Sequence, residues 1–264
     1  MEKKYKLTEE TLEIEGHVLN RIIALRDFGE VKKGDLGGFI EKESNLSHDW
    51  TCWIYNDAVV RGNAMVYGDA KVYGNAEVYG NATVCGEAMV YGNAMVYGNA
   101  TVCGEAMVYG NAMVYGNAKV YGNAEVYGEA TVCGNAEVHG EATVCGEAMV
   151  YGNDMVYGEA TVCGNAEVYG EAMVCGNAEV YGNAMVYGNA KVCGNAKVEK
   201  KSDYIVFKNW WSSGRYFTWT RSNDMWSVGC FYGTGEELIK KAYKNSEEKG
   251  REYARIVKYV KSIK

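Results

Sequence analysis

Proline is absent from the 264 residues, and phenylalanine, histidine and long apolar runs are scarce. Without proline, the chain is neither a collagen nor a proline-rich linker, although 33 of its residues are glycine. No apolar run reaches the ~18 residues needed to span a membrane, and the N-terminal residues lead into no apolar signal segment. Apolar residues still make up 48% of the chain, more than an ordinary disordered sequence contains. The composition therefore indicates a folded protein that does not reside in a membrane.

The nine cysteines show neither Cys-x-x-Cys nor zinc-finger spacing, so we expect no metal site. In the absence of a secretion signal they point to a reducing cytoplasm and to free thiols. Three pairs are nevertheless separated by 18 residues, namely Cys85 and Cys103, Cys145 and Cys163, and Cys175 and Cys193.

Residues 55–198 consist of one hexapeptide repeated 24 times without insertion. The consensus is Tyr/Cys-Gly-Asn/Glu-Ala-x-Val, and every sixth residue from Val60 to Val198 is valine. The alanine position is kept except at Asp154, and the glycine position except at Asn56. Because so strict a period reflects the architecture of the whole segment, we interpret it before the helix and strand propensities of individual residues.

Alanine and valine stand two residues apart in each unit, so both side chains leave the same face of a strand. The residue between them points to solvent. Six residues suit a short strand followed by a glycine bend, and one such unit cannot bury its Ala-Val face alone. Stacking the units builds a continuous interior, in which each buried valine contributes about 1.5–3 kcal/mol. The pattern predicts a parallel β-helix.

Three units per coil would give coils of 18 residues and about eight regular coils. Residues 79–96 and 97–114 are identical, as expected if one 18-residue block had been duplicated. The cysteine pairs share this spacing. The predicted fold class is therefore an all-β solenoid with three hexads per coil.

The repeat Val-Tyr-Gly-Asn-Ala-x-Val resembles that of left-handed β-helix proteins. Residues 21–47 and 52–60 are similar to the start of YdcK-like proteins, which are bacterial hexapeptide-repeat chains often labelled transferases from their fold. The C-terminal segment resembles one that accompanies such repeats in bacterial and phage proteins. The resemblance covers most of the chain and implies a left-handed coil, but it implies no established activity.

An open solenoid leaves unpaired strand edges at both ends, so we expect caps there. Residues 1–35 are interpreted as an N-terminal β cap containing a strand from His17 to Phe28, and the β-helix is predicted over 36–200. The first, irregular coil would start near Leu36.

Residues 201–264 differ in composition and predict a small α+β module with three strands and two helices. The strands are expected at 204–211, 216–221 and 225–232, and a capping box at residues 234–237 predicts the start of the first helix. Residues 199–264 carry a net charge of +6, whereas residues 55–198 carry −10.

Acyltransferases that resemble this fold use a histidine as general base, and His139 is the candidate here, with Glu141 two residues later. Two observations argue against it. No loop interrupts the 24 units to hold a substrate. The Tyr, Cys and His codons differ by single-base changes, so a histidine at this position is what drift after duplication would leave. We therefore predict no catalytic residue.

The candidate binding residues lie in the C-terminal module, where aromatic and basic side chains alternate; they are Trp210, Trp211, Arg215, Trp219 and Arg221. Such surfaces stack bases and hold phosphates. The alternative is that these aromatic residues form the core of a small domain.

Three features of the solenoid have both a functional and a structural interpretation. Asp154 marks either a site or a tolerated substitution of an inward alanine. Glu87, Glu105, Glu141 and Glu159 share one corner, either as a mimic of DNA phosphates or as a solvated face. Nine outward methionines form either a contact surface for a partner or positions where methionine is merely tolerated.

The leading interpretation is a non-catalytic β-solenoid scaffold for protein interaction or assembly, whose C-terminal module docks to a partner. We expect a protein partner or self-association, no cofactor, and no nucleic acid or membrane as partner. The alternatives are a hexapeptide acyltransferase, which would form a trimer, and an inhibitor that mimics nucleic acid through its acidic residues. The expected location is the cytoplasm.

Overall fold

The structure is a computed structural model that describes residues 2–210 and 213–263. A β-solenoid of about nine turns, built of three parallel sheets, occupies most of the chain. An antiparallel hairpin precedes it, and a small module of strands and helices follows it. This architecture confirms the predicted solenoid. The domain boundaries at residues 35 and 200 stay a prediction.

The N-terminal hairpin consists of β1 (Tyr5–Ile14) and β2 (His17–Ala24). The solenoid strands follow in chain order: β3 (Leu36–Ile40), β4 (Trp53–Ile54), β5 (Val59–Val60), β6 (Met65–Val66), β7 (Lys71–Val72), β8 (Glu77–Val78), β9 (Thr83–Val84), β10 (Met89–Val90), β11 (Met95–Val96), β12 (Thr101–Val102), β13 (Met107–Val108), β14 (Met113–Val114), β15 (Lys119–Gly122), β16 (Glu125–Val126), β17 (Thr131–Gly134), β18 (Glu137–Gly140), β19 (Thr143–Val144), β20 (Met149–Gly152), β21 (Met155–Gly158), β22 (Thr161–Val162), β23 (Glu167–Gly170), β24 (Met173–Gly176), β25 (Glu179–Val180), β26 (Met185–Gly188), β27 (Lys191–Val192) and β28 (Lys197–Val198). A 3-10 turn, Glu43–Asn45, lies within the first coil.

From β4 onward every third strand belongs to the same sheet, so one regular coil contains three strands and 18 residues. The first sheet is continued by the hairpin and runs β1-β2-β3-β5-β8-β11-β14-β17-β20-β23-β26. The second runs from β4 through β7 and β10 to β28, and the third from β6 through β9 to β27. Within each sheet valine pairs with valine, as Val90 does with Val108. The eight regular coils from residue 55 and the irregular coil that starts at Leu36 agree with the sequence-based prediction.

The solenoid interior is filled by the alanine and valine of every unit and by Asp154, which replaces one alanine, and all of these side chains are buried. Backbone hydrogen bonds join each coil to the next at the same register; Met89 N, for example, donates to Ala106 O over 2.9 Å. The repeat therefore satisfies the backbone and excludes water from the apolar face at the same time.

The glycine corners allow successive coils to approach closely. Gly110 has a φ of +75°, in the left-handed region, and a Cβ there would lie 3.0 Å from both the N and the O of Gly128. An L side chain would be strained both by this dihedral angle and by the neighbouring backbone.

Outward side chains also stack in columns, because residues 18 apart lie one above the other. The rings of Tyr91 and Tyr109 are parallel, with centroids 4.7 Å apart. In another column Asn99 Nδ2 donates to Asn117 Oδ1 over 2.9 Å. Cysteines that replace tyrosine lie equally close.

Two of the cysteine pairs, Cys85–Cys103 and Cys175–Cys193, form disulfides between adjacent coils. The expectation that all the thiols are free is therefore wrong for these four residues. Their Cα atoms are 4.7 and 4.6 Å apart, a separation that follows from strand spacing and lies within the range of natural disulfides.

At the N-terminal end the hairpin and the first coil cover the open edge. The Lys4 ammonium is buried and donates to Cys52 O over 2.8 Å, and the Tyr5 hydroxyl donates to Glu43 O and Leu46 O. The strand β2 lies where a strand was predicted, although it ends at Ala24. The strand β1 was not predicted, because most of its residues are polar or partly exposed, as is common on an edge strand.

The C-terminal module contains a 3-10 turn, Lys201–Asp203, followed by β29 (Tyr204–Lys208), β30 (Tyr216–Thr220), β31 (Met225–Val228), β32 (Phe231–Thr234), α1 (Gly235–Asn245) and α2 (Glu247–Ser262). Its four strands form one antiparallel sheet. The prediction of three strands is wrong, since a turn at Gly229 and Cys230 divides the segment expected at 225–232. The predicted capping box is present: Thr234 Oγ1 accepts from Glu237 N.

This module covers the last coil, and one of its hydroxyls forms a hydrogen bond with the last strand of each of the three sheets. Tyr204 donates to Met185 O over 2.8 Å, Thr218 Oγ1 accepts from Lys191 N over 2.9 Å, and Ser222 Oγ accepts from Lys197 N over 2.7 Å. These backbone groups would otherwise lack the neighbour that a further coil provides. The module is therefore the C-terminal cap of the solenoid.

Neither α1 nor α2, nor any other helix within the described ranges, is long and apolar enough to cross a membrane.

The close approach at the glycine corners can be tested with Gly110→Ala and Gly188→Ala. Both residues have a positive φ, but a Cβ at Gly188 meets nothing within 4 Å. We expect Gly188→Ala to lower the free energy of unfolding by about 1 kcal/mol, and Gly110→Ala by about 3 kcal/mol because its neighbouring backbone must also move. Urea denaturation followed by circular dichroism measures both values. Equal losses would show that coil contact contributes nothing beyond the dihedral strain.

Candidate functional site

The C-terminal module contains a cleft that forms because a sheet and two helices meet at a sharp turn. Gly229, with a φ of +59°, lies in the turn that joins β31 to β32. The capping box of Thr234 and Glu237 then starts α1 directly after β32, so the helix folds back beside the turn. Cys230 lies exposed at the mouth of the space between them.

The cleft has two adjoining lobes of about 520 and 610 Å³. The floor of the first lobe is apolar and is made by the buried residues Val228, Leu238, Ala242 and Tyr253. Five cationic side chains surround the two lobes: Arg215, Lys240, Lys241, Lys244 and Lys249. An apolar floor beneath a cationic rim suits a ligand that carries both an apolar group and negative charge.

Glu237 is the one carboxylate among the described residues that line the cleft, and it already accepts hydrogen bonds. It accepts from Thr234 N over 2.9 Å and from Thr234 Oγ1 over 3.1 Å, and these bonds lower the pKa of Glu237. The Lys241 ammonium lies 5.3 Å from the centroid of the Phe231 ring. Within the described ranges Glu237 is thus engaged by Thr234 and forms no salt bridge with the lysines of the rim.

The five candidate binding residues do not form one surface. Trp219 is 1% exposed and its Nε1 donates to Asp224 Oδ1, so its ring belongs to the core of the module. Trp210 is 74% exposed, with the Lys208 ammonium 3.8 Å from its ring centroid. Trp211 lies outside the described residues.

The two arginines of that set lie at opposite ends of β30. Arg215 precedes the strand and lines the cleft, whereas Arg221 follows it and its backbone N donates to Asp203 O. The lysines of α1 and α2 were missed, although their helical spacing at 240, 241 and 244 and the charge of +6 for residues 199–264 were signals in the sequence.

His139 lies within a column of aromatic side chains. Its ring is stacked between Tyr121 and Tyr157, with centroids 4.7 and 5.2 Å away and interplanar angles of 5° and 3°. Both ring faces are therefore covered, which leaves the edge for contact with solvent. His139 lowers the pKa of Glu137 slightly, after the larger effect of the Lys119 hydrogen bond. Geometrically, His139 replaces a tyrosine in the stack.

Two other outward features have the positions expected from the repeat. The acidic corner is interrupted by Asn123, and Asn177 Nδ2 donates to Glu159 Oε2 over 2.6 Å, so its carboxylates do not form an unbroken row. Most of the outward methionines are half-buried beside tyrosines, as Met89 is beside Tyr73, whereas Met65 is 47% exposed. The described residues include no group of three His, Cys, Asp or Glu placed to share a metal ion.

Asp154 is the buried acid of the solenoid interior. Its Oδ1 accepts from Ala172 N over 2.6 Å, while its Oδ2 finds no hydrogen-bond partner among the described residues. Burial raises the pKa of Asp154 to about 7, and the Ala172 hydrogen bond offsets part of this rise. The carboxyl is therefore a local weakness of the coil that contains it.

The geometry defines the protein as a capped parallel β-solenoid with a cationic cleft in its C-terminal cap. The YdcK beta solenoid repeat model matches residues 88–104, 106–122 and 178–194. The chain is also 36% identical over 76 residues to a protein of Escherichia coli (strain K12) named "Uncharacterized acetyltransferase YdcK", and the match covers 23% of each chain. The repeat model therefore places a similarity to YdcK-like proteins in the solenoid, and the match to the Escherichia coli protein covers only part of either chain.

The buried carboxyl predicts a pH-dependent stability. The carboxyl of Asp154 ionises near pH 4 in the unfolded chain and near pH 7 in the folded chain. Its contribution to the free energy of unfolding therefore falls as the pH rises from 4 to 7, and it stays constant above pH 7. We expect Asp154→Ala to raise the free energy of unfolding at pH 8 by up to about 4 kcal/mol and to have a much smaller effect at pH 4.

Urea denaturation at a series of pH values measures this difference. Asp154→Asn serves as the matched control, because it removes the charge but keeps a polar group; it should flatten the pH dependence with a smaller gain in stability. An unchanged pH slope in both variants would show that Asp154 does not cause it.

Proposed function

We propose that the protein is a non-catalytic scaffold, in which a rigid solenoid presents a C-terminal cap that docks an acidic protein segment. The observation that carries this proposal is the cleft with its apolar floor and its five cationic side chains. A solenoid of stacked coils places this cleft at one end of a long and stiff body.

The chemistry of the cleft indicates the kind of segment that fits it. A lobe of about 520 Å³ over Leu238 and Tyr253 accommodates one large apolar side chain. Flanking Asp or Glu residues would then lie near Lys241, Lys244 and Lys249. Attraction between opposite charges gives such a site specificity and a faster association, and both weaken as salt is added.

Docking can be tested with a fluorescently labelled peptide in which one Phe is flanked on each side by four Glu residues. We expect the full chain to bind it, and the double variant Lys241→Glu/Lys249→Glu to weaken binding at least tenfold in fluorescence anisotropy. The control is Lys258→Glu, which changes the charge of an exposed position on α2 that does not line the cleft.

Equal binding by the double variant and by Lys258→Glu would show that the peptide does not bind in the cleft. Light scattering of the unmodified chain distinguishes a second copy as the occupant. If the mass rises with protein concentration and Lys241→Glu/Lys249→Glu abolishes this rise, the cleft binds the acidic solenoid of a second copy of this chain and not an external partner.

A second candidate function is acetyl transfer, which the name of the Escherichia coli relative suggests. It would need a base such as His139, whose ring is covered on both faces by Tyr121 and Tyr157. A general base must reach the proton of the acceptor within hydrogen-bond distance, and only the ring edge could do so here.

The scaffold proposal predicts that acetyl-CoA releases thiol no faster with the protein than without it, for both amine and hydroxyl acceptors. The control is His139→Phe, which keeps an aromatic ring in the column and therefore preserves the fold. Turnover by the unmodified chain that is lost in His139→Phe would establish the acetyltransferase instead.

A further inference from the structure

Cys145 and Cys163 occupy equivalent positions in adjacent coils, but both are free thiols. Their strands, β19 and β22, pair in register through Val144 and Val162. Cys145 N donates to Val162 O over 2.9 Å, so the two residues lie one above the other at the same corner.

The same backbone geometry surrounds the bonded pair Cys85–Cys103. There Val84 pairs with Val102, and Cys85 N donates to Val102 O over 2.9 Å. The tetrapeptide Thr-Val-Cys-Gly begins at residues 83, 101, 143 and 161, so all four cysteines have identical neighbours in the chain. A backbone that brings Cys85 and Cys103 within bonding distance therefore does the same for Cys145 and Cys163.

The two free thiols also interact with each other. Burial raises the pKa of Cys163, and a hydrogen bond with the Cys145 thiol raises it further. Both side chains are half-buried on the outside of the solenoid, where a small reagent can reach them. The Tyr127 hydroxyl contacts Cys145 from the preceding coil.

The coil between the two thiols is the coil that contains Asp154. The carboxyl of Asp154 is buried, and its Oδ2 is without a hydrogen-bond partner in the described part of the chain. A covalent link between Cys145 and Cys163 would close this single coil into a loop and restrict its opening.

We propose that Cys145 and Cys163 form a third inter-coil disulfide that is made by exchange with a small-molecule disulfide and protects the coil containing Asp154. The thiolate of one cysteine attacks a sulfur of the oxidant and releases one thiol, which leaves a mixed disulfide. The second cysteine then attacks the protein sulfur and releases the other thiol. Two protein thiols are oxidised, one disulfide of the reagent is reduced to two thiols, and the two protons are taken up by the released thiolates.

The probe is oxidised glutathione added to the full chain with its two existing disulfides. Five thiols are free before oxidation, and denatured protein should then titrate two fewer, not counting the exposed Cys230 where it has taken up glutathione. Apart from glutathione taken up by the exposed Cys230, the intact mass should fall by two hydrogens, and peptide mapping should link Cys145 to Cys163. Stable glutathione adducts at both residues, with no link between them, would overturn the proposal.

Matched variants separate this pair from general thiol oxidation. Cys133→Ser removes a cysteine from the same tetrapeptide, but the residues 18 positions before and after it are Tyr115 and Tyr151, so the link should still form. Cys145→Ser should abolish it.

Hydrogen exchange within residues 146–162 provides the functional readout. Oxidation should slow exchange there at least tenfold in the unmodified chain and in Cys133→Ser, and should leave it unchanged in Cys145→Ser. Equal exchange before and after complete formation of the link would show that the link does not protect the coil.

Discussion

The 18-residue register between coils is the constraint on which the structure depends. Valine lies on valine in all three sheets, and the backbone of one coil donates to the carbonyls of the next, as Met89 does to Ala106. Because side chains alternate between the faces of a strand, a slip of one residue would turn the valines toward water. The buried apolar columns therefore hold every coil in one register, and the glycine corners allow the backbones to meet at this spacing.

The same register determines the chemistry of the outer surface. A tyrosine repeated at 18 residues becomes a stack of parallel rings, an asparagine becomes a chain of amide hydrogen bonds, and a cysteine becomes a disulfide or a pair of neighbouring thiols. His139 takes the place of a tyrosine in such a column, since tyrosine rings lie on both of its faces. In a repeat of this kind, the sequence identifies which side chains lie against each other in adjacent coils, but it does not by itself identify a function.

The last coil has no following coil to pair with, so its strand edges must be covered in another way. Three hydroxyls, from Tyr204, Thr218 and Ser222, replace the missing coil on the three sheets. The same C-terminal module contains the cationic cleft on the side where α1 returns to the β31–β32 turn. In our proposal one small domain thus ends the solenoid and presents its binding site, and both roles depend on its antiparallel sheet.

Much of this architecture follows from the amino-acid sequence alone, because a six-residue period with valine at each sixth position leaves few ways to bury the apolar face. The coil length, the start of the solenoid near Leu36, the capping box at Thr234 and the burial of Asp154 are all local or periodic properties. Tertiary structure decided the rest. The turn at Gly229, the burial of Trp219, the separation of Arg215 from Arg221 and the convergence of lysines from two helices depend on how non-repeating segments pack against each other. No period relates those segments, so their contacts arise only when the sheet and the helices assemble around a common core.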